Sequence, residues 1–309
     1  MSLERALELA ERGRGTTHPN PVVGAVVVRD GDVVAEGWHE RKGGPHAEVV
    51  ALDAAGERAR GATLYVTMEP CAHHGTTPPC TEAVLAAGVA KVVAGSLDPN
   101  PGARGGLAVL RAAGVEVQLE DSFIARAQNE AWRTWVSLQR PFVTLKLALT
   151  LDGRVTTPGS RWISGEDSRR RVHELRAQVD AVAVGMGTVR ADDPQLTARD
   201  VGATRQPRRL AFGHGETQLE LREGPLEDEL RALADEGVQS LLLEGGPTLA
   251  GSFLRSGLVD KLMLFLAPHV AGKGVPFAPA LDEALTLTRT SVEPLGEDLL
   301  LTAYVHEPS

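Results

Sequence analysis

The only two cysteines of this 309-residue chain, Cys71 and Cys80, lie close together and follow a His46-Ala47-Glu48 motif. Zinc takes thiolate and imidazole ligands in a tetrahedron, and a hydrolytic site leaves the fourth position to water. His46, Cys71 and Cys80 supply three ligands. Glu48, two residues beyond His46, is placed to reach the metal-bound water without binding the metal. That set suits hydrolytic removal of an amine from a nucleobase: an acidified water attacks an amidine carbon and the glutamate carries the proton to ammonia. The competing readings are two small buried hydrophobes, or a disulfide in an exported protein. Met1-Ser2-Leu3-Glu4-Arg5 shows no apolar signal segment, so a cytoplasmic location is expected, and a disulfide would leave His46 and Glu48 unexplained. The commonest deaminase signature spaces its cysteines C-x-x-C. Here the eight residues Ala72 to Pro79 intervene, enough to form part of a pocket wall.

The elements around these residues alternate between helix and strand patterns. Helices are expected at Leu3–Arg14, His46–Ala55, Cys80–Ala87, Gly106–Ala113 and Phe123–Leu138. Strands are expected at Val22–Arg29, Val33–Gly37, Thr63–Thr67, Lys91–Ala94 and Val115–Leu119, the first two joined as a hairpin by Asp30-Gly31-Asp32. Such alternation predicts a mostly parallel sheet with helices on its faces. His46 and Cys80 then each open a helix, where the positive helix end favours a thiolate or carboxylate. A domain boundary is expected at Gln139-Arg140-Pro141, dividing the chain into 1–140 and 141–309.

The second part repeats the alternation: strands at Phe142–Leu149, Ala181–Val184, Gln239–Leu243 and Lys261–Ala267, helices at Val172–Gln178, Leu226–Asp235 and Thr248–Ser256. Antiparallel strands are expected at Leu285–Thr288 and Leu299–Val305. Leu243-Glu244-Gly245-Gly246-Pro247-Thr248 reads as strand, glycine pair and helix start, whose backbone N–H groups can hold a phosphate. Gly185-Met186-Gly187-Thr188 is a second glycine-bearing strand end. Two of these in one sheet suggest a dinucleotide across its carboxyl edge. The spacing is not G-x-G-x-x-G, so a standard Rossmann domain is not supported. By themselves Asp152-Gly153-Arg154 reads as a turn, Trp162 as core and Arg176 as part of a solvated helix face.

Composition narrows the partners. Residues 1–140 hold 14 basic and 17 acidic side chains and the remainder 18 and 24, within a net charge of −9. Neither half has the basic balance of a nucleic-acid binder. Aromatic content of 4% also argues against base-stacking platforms. No apolar run reaches the length of a membrane span. The partners expected are a small phosphorylated substrate, with neither nucleic acid nor membrane; further copies of the chain, as a homo-oligomer, stay open.

Taken together the motifs resemble the bifunctional riboflavin-biosynthesis deaminase/reductase family over nearly the whole length. They are Thr17-His18-Pro19-Asn20-Pro21, Pro45-His46-Ala47-Glu48, Glu69-Pro70-Cys71-Ala72-His73-His74-Gly75, Thr77-Pro78-Pro79-Cys80 and Asp98-Pro99-Asn100-Pro101. The second half adds Lys146 to Arg154, Ser160 to Ser164, Thr188 to Pro194 and Glu244 to Thr248. The long cysteine spacing is the family's own form. The resemblance implies an α/β chain with a cytidine-deaminase-like three-layer domain followed by a shortened dihydrofolate-reductase-like domain. It implies zinc-dependent deamination of 2,5-diamino-6-(phosphoribosylamino)pyrimidinone, then NADPH-dependent reduction of the ribosyl group to ribityl. It places zinc on His46, Cys71 and Cys80, the proton shuttle at Glu48, and deaminase substrate contacts at Asn20, Asp98 and Asn100. For the reductase it implies NADPH contacts at Ala148, Trp162, Thr188, Asp192, Gly246, Pro247 and Thr248. Substrate contacts are implied at Ser160, Arg176, Leu196, Arg199 and Glu244. Thr76 stands where the family carries Lys or Arg, and the link from Phe212 to Leu226 lacks a strand and helix that relatives have. The alternative is a deaminase with a relict or ligand-binding second domain.

Overall fold

The structure is a computed structural model describing residues 2–75, 78–277 and 280–308. It contains two compact units: one runs to Leu138 and takes in Pro308, and the other spans Gln139–Glu307. No helix among the described residues is long and apolar enough to cross a membrane.

In the first unit, α1 (Ser2–Ala10) precedes β1 (Gly24–Arg29), β2 (Asp32–Trp38), α2 (Ala47–Ala55), β3 (Thr63–Val66), α3 (Cys80–Ala87), β4 (Lys91–Ala94), α4 (Gly106–Ala112), β5 (Glu116–Leu119), α5 (Phe123–Gln128) and α6 (Glu130–Leu138). The strands form one sheet in the order β2-β1-β3-β4-β5. Successive side chains of β1 serve opposite layers, as strand geometry requires. Ala25 and Val27 pack with Ala47 and Ala51 of α2 and Val84 of α3, while Val26 packs with Ala6 and Leu9 of α1. The sheet is mixed, which corrects the expectation of a mostly parallel one: β1 is antiparallel to β2 and β3, and only β3-β4-β5 run parallel. The two-residue turn at Asp30-Gly31 forces β2 to reverse. The crossover through α2 then returns β3 in the direction of β2, on the far side of β1.

The expected single helix over 123–138 is broken at Asn129. Its side-chain amide accepts from Val22 N at 2.9 Å and donates to Val22 O at 2.8 Å, and its own φ of −118° leaves the helical range. Likewise α1 stops at Ala10, and Glu11–Gly13 continue as a 3-10 turn.

The second unit holds β6 (Phe142–Thr150), α7 (Glu166–Gln178), β7 (Ala181–Gly185), α8 (Met186–Asp192), β8 (Arg208–Phe212), β9 (Glu220–Arg222), α9 (Leu226–Asp235), β10 (Ser240–Leu243), α10 (Pro247–Arg255), β11 (Lys261–Ala267), β12 (Thr288–Leu295) and β13 (Asp298–Tyr304). The sheet order is β12-β13-β11-β6-β10-β7-β8-β9, parallel from β11 to β9 and antiparallel at β12-β13-β11. One face buries Val143, Leu145, Leu147 and Leu241 beneath Leu230 and Leu233 of α9 and Phe253 of α10. The other carries Val182, Val184 and Leu242 against Met186 and Val189 of α8.

Three boundaries differ from the sequence expectation. Helix α7 begins at Glu166 and not at Val172, because buried Asp298 accepts from Gly165 N at 2.7 Å and from Ser168 Oγ at 2.6 Å. Its first turns, Glu166 to Arg171, are too polar to show an apolar stripe. The penultimate strand is Thr288–Leu295 and not Leu285–Thr288; it is an exposed edge strand without hydrophobic alternation. The link after Phe212 is not bare: it carries β9, which pairs parallel with β8.

Asp260 ties the start of β6 to the end of α10's loop. It is 2% exposed, accepts both terminal guanidinium nitrogens of Arg140 at 2.7 Å, and accepts Val143 N at 2.8 Å. Removing one partner of a buried pair leaves the other charge uncompensated, at a cost of about 3 kcal/mol. Asp260→Ala should therefore lower the chemical-denaturation stability of this unit by roughly that amount. A change under about 1 kcal/mol would assign the pair a negligible role.

Candidate functional site

The first site forms where three chain segments end together. His46 is the N-cap of α2, Cys71 follows the turn after β3, and Cys80 is the first residue of α3. One ligand atom from each lies within 4.8 Å of the other two. His46 Nδ1 is 3.1 Å from Cys80 Sγ and 3.7 Å from Cys71 Sγ. A tetrahedron with metal–ligand bonds of about 2.0–2.3 Å has edges of roughly 3.3–3.8 Å, so the donor set fits zinc both in chemistry and in spacing. Cys80 N donates to Cys71 Sγ at 3.3 Å, so a helix N-terminus stabilises the thiolate.

The close gathering of the three donors shifts their titration. The hydrogen bond with Cys80, joined by the bond with His46 and opposed by burial, leaves the Cys71 thiol well below its ordinary value. Cys80 is raised by the same bond and by burial, and His46 is raised by its bond to Cys71. A metal ion replaces these shared protons, which is how binding couples to deprotonation of the site. Glu48, 3% exposed on the first turn of α2, is pushed up by burial, with opposing help from His46. A carboxyl raised by desolvation suits proton transfer near neutral pH.

His46, Cys71 and Glu48 border a cavity of about 330 Å³ that also takes in Asn20, Asp98, Asn100 and, from α6, Trp132 and Trp135. Its back wall is organised by Glu69, which is 6% exposed and accepts backbone N–H groups of Asp98 at 3.2 Å, Gly105 at 3.2 Å and Leu107 at 3.0 Å. A side chain at Gly106 would fall 1.7 Å from Pro70 O, so glycine is required there for α4 to approach the cysteine loop. Asp98 accepts Asn100 N at 2.8 Å, and its carboxyl is pushed up to about 6 by burial. Asn20 faces His39 Nε2 at 3.4 Å, while His39 Nδ1 donates to Pro45 O at 3.0 Å. Burial lowers the His39 pKa, keeping the ring neutral so that Nε2 accepts. His39, Glu69, Trp132 and Trp135 were not among the expected site residues. The sequence signal for Glu69 was its place beside Pro70-Cys71; the tryptophans carried none, being ordinary members of an amphipathic helix. Thr76 lies outside the described residues.

The second site is a cleft of about 830 Å³ across the carboxyl ends of β6, β10, β7 and β8. Ala148, Thr188, Asp192, Glu244, Gly246, Pro247 and Thr248 line it, as do Lys146, Arg190 and His214. Gly246 is the N-cap of α10 with Pro247 at its first position, so the free N–H groups of that helix face an open cleft. Gly185-Met186-Gly187, read as a loop, instead opens the short helix α8.

Buried charge marks one end of this cleft. Arg176 donates to both Glu244 carboxylate oxygens, at 2.6 and 3.0 Å, and Lys146 Nζ lies 3.8 Å from Glu244. Burial lowers the Lys146 pKa, against the attraction of Glu244. Burial alone would raise Glu244, but Lys146 and Arg176 outweigh it and hold the carboxylate ionised. Lys146 was readable as the one charge inside the apolar strand Phe142–Thr150.

Five expected contacts do not line this cleft. Arg176 is held on Glu244 and on Thr197 O. Leu196 is 2% exposed with φ of 55°, and Arg199 donates to Gln195 and Thr197 side chains. Ser160 bonds within its own turn to Trp162, which is exposed and flanked by Arg161 and Arg169, each 5.3 Å from its ring. All five sit on loops or faces that motif spacing could not orient.

Comparison with known proteins finds likeness over both units. Residues 2–96 match the cytidine and deoxycytidylate deaminase zinc-binding region, and residues 141–301 match the RibD C-terminal domain. The chain is 43% identical to riboflavin biosynthesis protein RibD of Mycobacterium tuberculosis, covering 96% of this chain and 94% of that one. It is 40% identical to the Aquifex aeolicus protein of that name, covering 97% and 96%. The solved structure of Acinetobacter baumannii RibD superposes with a TM-score of 0.84 at 36% identity, covering 98% of this chain and 97% of that one. A Thermotoga maritima deaminase/reductase superposes with a TM-score of 0.83 at 36% identity. With these likenesses over both units, the chain belongs to the bifunctional deaminase/reductase family of riboflavin biosynthesis.

Proposed function

We propose that residues 1–140 deaminate a diaminopyrimidine bearing a phosphoribosylamino group and that residues 141–309 reduce the ribosyl group of the product. The Thermotoga maritima relative is described as a diaminohydroxyphosphoribosylaminopyrimidine deaminase and 5-amino-6-(5-phosphoribosylamino)uracil reductase. The observation that carries the first half is Glu48, buried beside three zinc-type ligands at one cavity. Zinc held by His46, Cys71 and Cys80 would supply an acidified water at the amine-bearing carbon. Glu48 takes the water's proton and returns it to the departing amine. Asp98, Asn100 and Asn20 present acceptors and donors to the pyrimidine edge, with neutral His39 fixing the Asn20 amide.

NADPH bound in the second cleft would supply the reducing equivalent. The α10 N-terminus at Gly246-Pro247-Thr248 is suited to its diphosphate. Lys146, with a lowered pKa beside Glu244, is suited to hold a proton and deliver it to the ribose oxygen released from the carbon that takes the hydride. Arg176 keeps Glu244 oriented and ionised, so its contribution to substrate binding runs through that carboxylate. This intact charged end favours a working reductase over a relict domain. Two unpaired thiols used as metal ligands suit a reducing, cytoplasmic setting.

Mutants separate the two activities. Cys80→Ser should lose zinc and deamination together, read by metal analysis and ammonia release. Glu48→Gln should keep about one zinc per chain, the stoichiometry of a single site. Its deamination should fall at least about a hundredfold, the scale of general acid–base catalysis. Loss of zinc in that mutant would make Glu48 a ligand and redraw the roles. Lys146→Met should suppress NADPH oxidation with the deaminated substrate by about a hundredfold or more, with ammonia release unchanged. Full reduction by Lys146→Met would remove the lysine from the chemistry.

A further inference from the structure

Among the cations lining the second cleft, Lys146 is engaged by Glu244, and His214 pairs through Nδ1 with Glu223 at 2.9 Å. Arg190, on the last turn of α8, also lines the cleft. Its side chain is exposed and has no ion pair or hydrogen bond among the described residues, the nearby Asp192 and Asp193 included. By contrast Arg208 on β8 and Arg222 on β9 have three glutamates between them.

The place of Arg190 in the fold says what it awaits. The cleft crosses the strand ends in the order β6, β10, β7, β8. Lys146 and Glu244 mark the β6–β10 end, and the α10 N-terminus follows β10. The turn Gly213-His214-Gly215 follows β8 at the other end, three strand spacings or about 14 Å away. That turn presses on α8: a side chain at Gly215 (φ 142°) would come 3.0 Å from Met186 Cε and 3.9 Å from Arg190 Nη1. Arg190 and His214 are thus held together at the end of the cleft farthest from the buried lysine. A dinucleotide with its reacting ring at Lys146 and its diphosphate at α10 brings its adenosine ribose to this end.

We infer that Arg190 binds the 2′-phosphate of NADPH and sets the preference of the reductase for NADPH over NADH. This rests on reading the cleft as the NADPH site. A dianionic phosphate on the ribose needs a charge-assisted donor, and guanidinium offers a planar pair of N–H groups matched to it. In Rossmann-type sites, whose strand-end chemistry this cleft shares without the fingerprint, an acidic side chain selects the free 2′-hydroxyl and an arginine selects its phosphate. Here the strand end after β8 carries Gly213-His214-Gly215 and no acidic side chain among the cleft-lining residues of that turn.

The test uses the full chain and titrates four ligands by calorimetry: NADPH, NADH, adenosine 2′,5′-bisphosphate and 5′-AMP. The unaltered protein should bind NADPH and the bisphosphate more tightly than their counterparts. Arg190→Gln should weaken NADPH and the bisphosphate by about 10- to 100-fold, the usual range for a hydrogen bond to a charged group. It should leave NADH and 5′-AMP within about twofold, and Arg190→Lys should restore part of the difference. Unchanged binding of NADH and 5′-AMP confirms that the second unit is folded. Equal weakening of all four ligands, or an undiminished NADPH preference, overturns the assignment of Arg190. Failure of the unaltered protein to bind either NADPH or the bisphosphate overturns the reading of the cleft itself.

Discussion

Charge withdrawn from water at the ends of parallel strands is the constraint on which both sites depend. A buried carboxylate or thiolate costs several kcal/mol unless hydrogen bonds, an opposite charge or a metal compensates it. Strand ends beside helix N-termini are where a parallel α/β fold can supply that compensation, because free N–H groups converge there. In the first unit Cys80 and His46 open their helices and Glu69 collects three backbone N–H groups. In the second, Glu244 follows β10 and receives the Arg176 fork. Each site is thus a product of where the sheet places its carboxyl edge.

The same constraint explains the division of labour between contacting and supporting residues. Glu48, Asp98 and Lys146 have pKa values moved chiefly by burial. Groups so moved are poised to exchange protons or to gain from a ligand's charge. Glu69, Asp152, Asp260 and Asp298 accept backbone N–H groups and are occupied by the fold. Asp152 accepts from Ala271 and Gly272 and so holds the turn after β6 against the segment that follows β11. Aspartates in these two groups look alike in sequence and differ only in what surrounds them.

Much of the site chemistry was legible without coordinates because a metal demands particular donors. His46, Glu48, Cys71 and Cys80 combine rare residue types at spacings that helix starts can bring together. The glycine pair at Gly245-Gly246 was legible for a similar reason: a tight strand-to-helix turn excludes bulky side chains. Most strand and helix positions followed from apolar periodicity, which reports burial directly. Where burial was absent the reading failed, as at exposed β12 and the polar opening of α7.

Tertiary structure alone decided the rest. Whether Arg176 meets a ligand or a carboxylate depends on Glu244, 68 positions away, and no local pattern encodes that pairing. Trp132 and Trp135 become pocket wall only because Asn129 breaks the helix and ties it to Val22. Arg190 and His214 share one end of a cleft because β7 and β8 are neighbours in the sheet. The sequence by itself determined which atoms could bind zinc and where a strand gives way to a helix through small residues, since those are local demands of coordination and backbone geometry. Which charged side chains reach a ligand and which are consumed by the fold was decided by long-range packing, because desolvation and pairing energies exist only once distant segments meet.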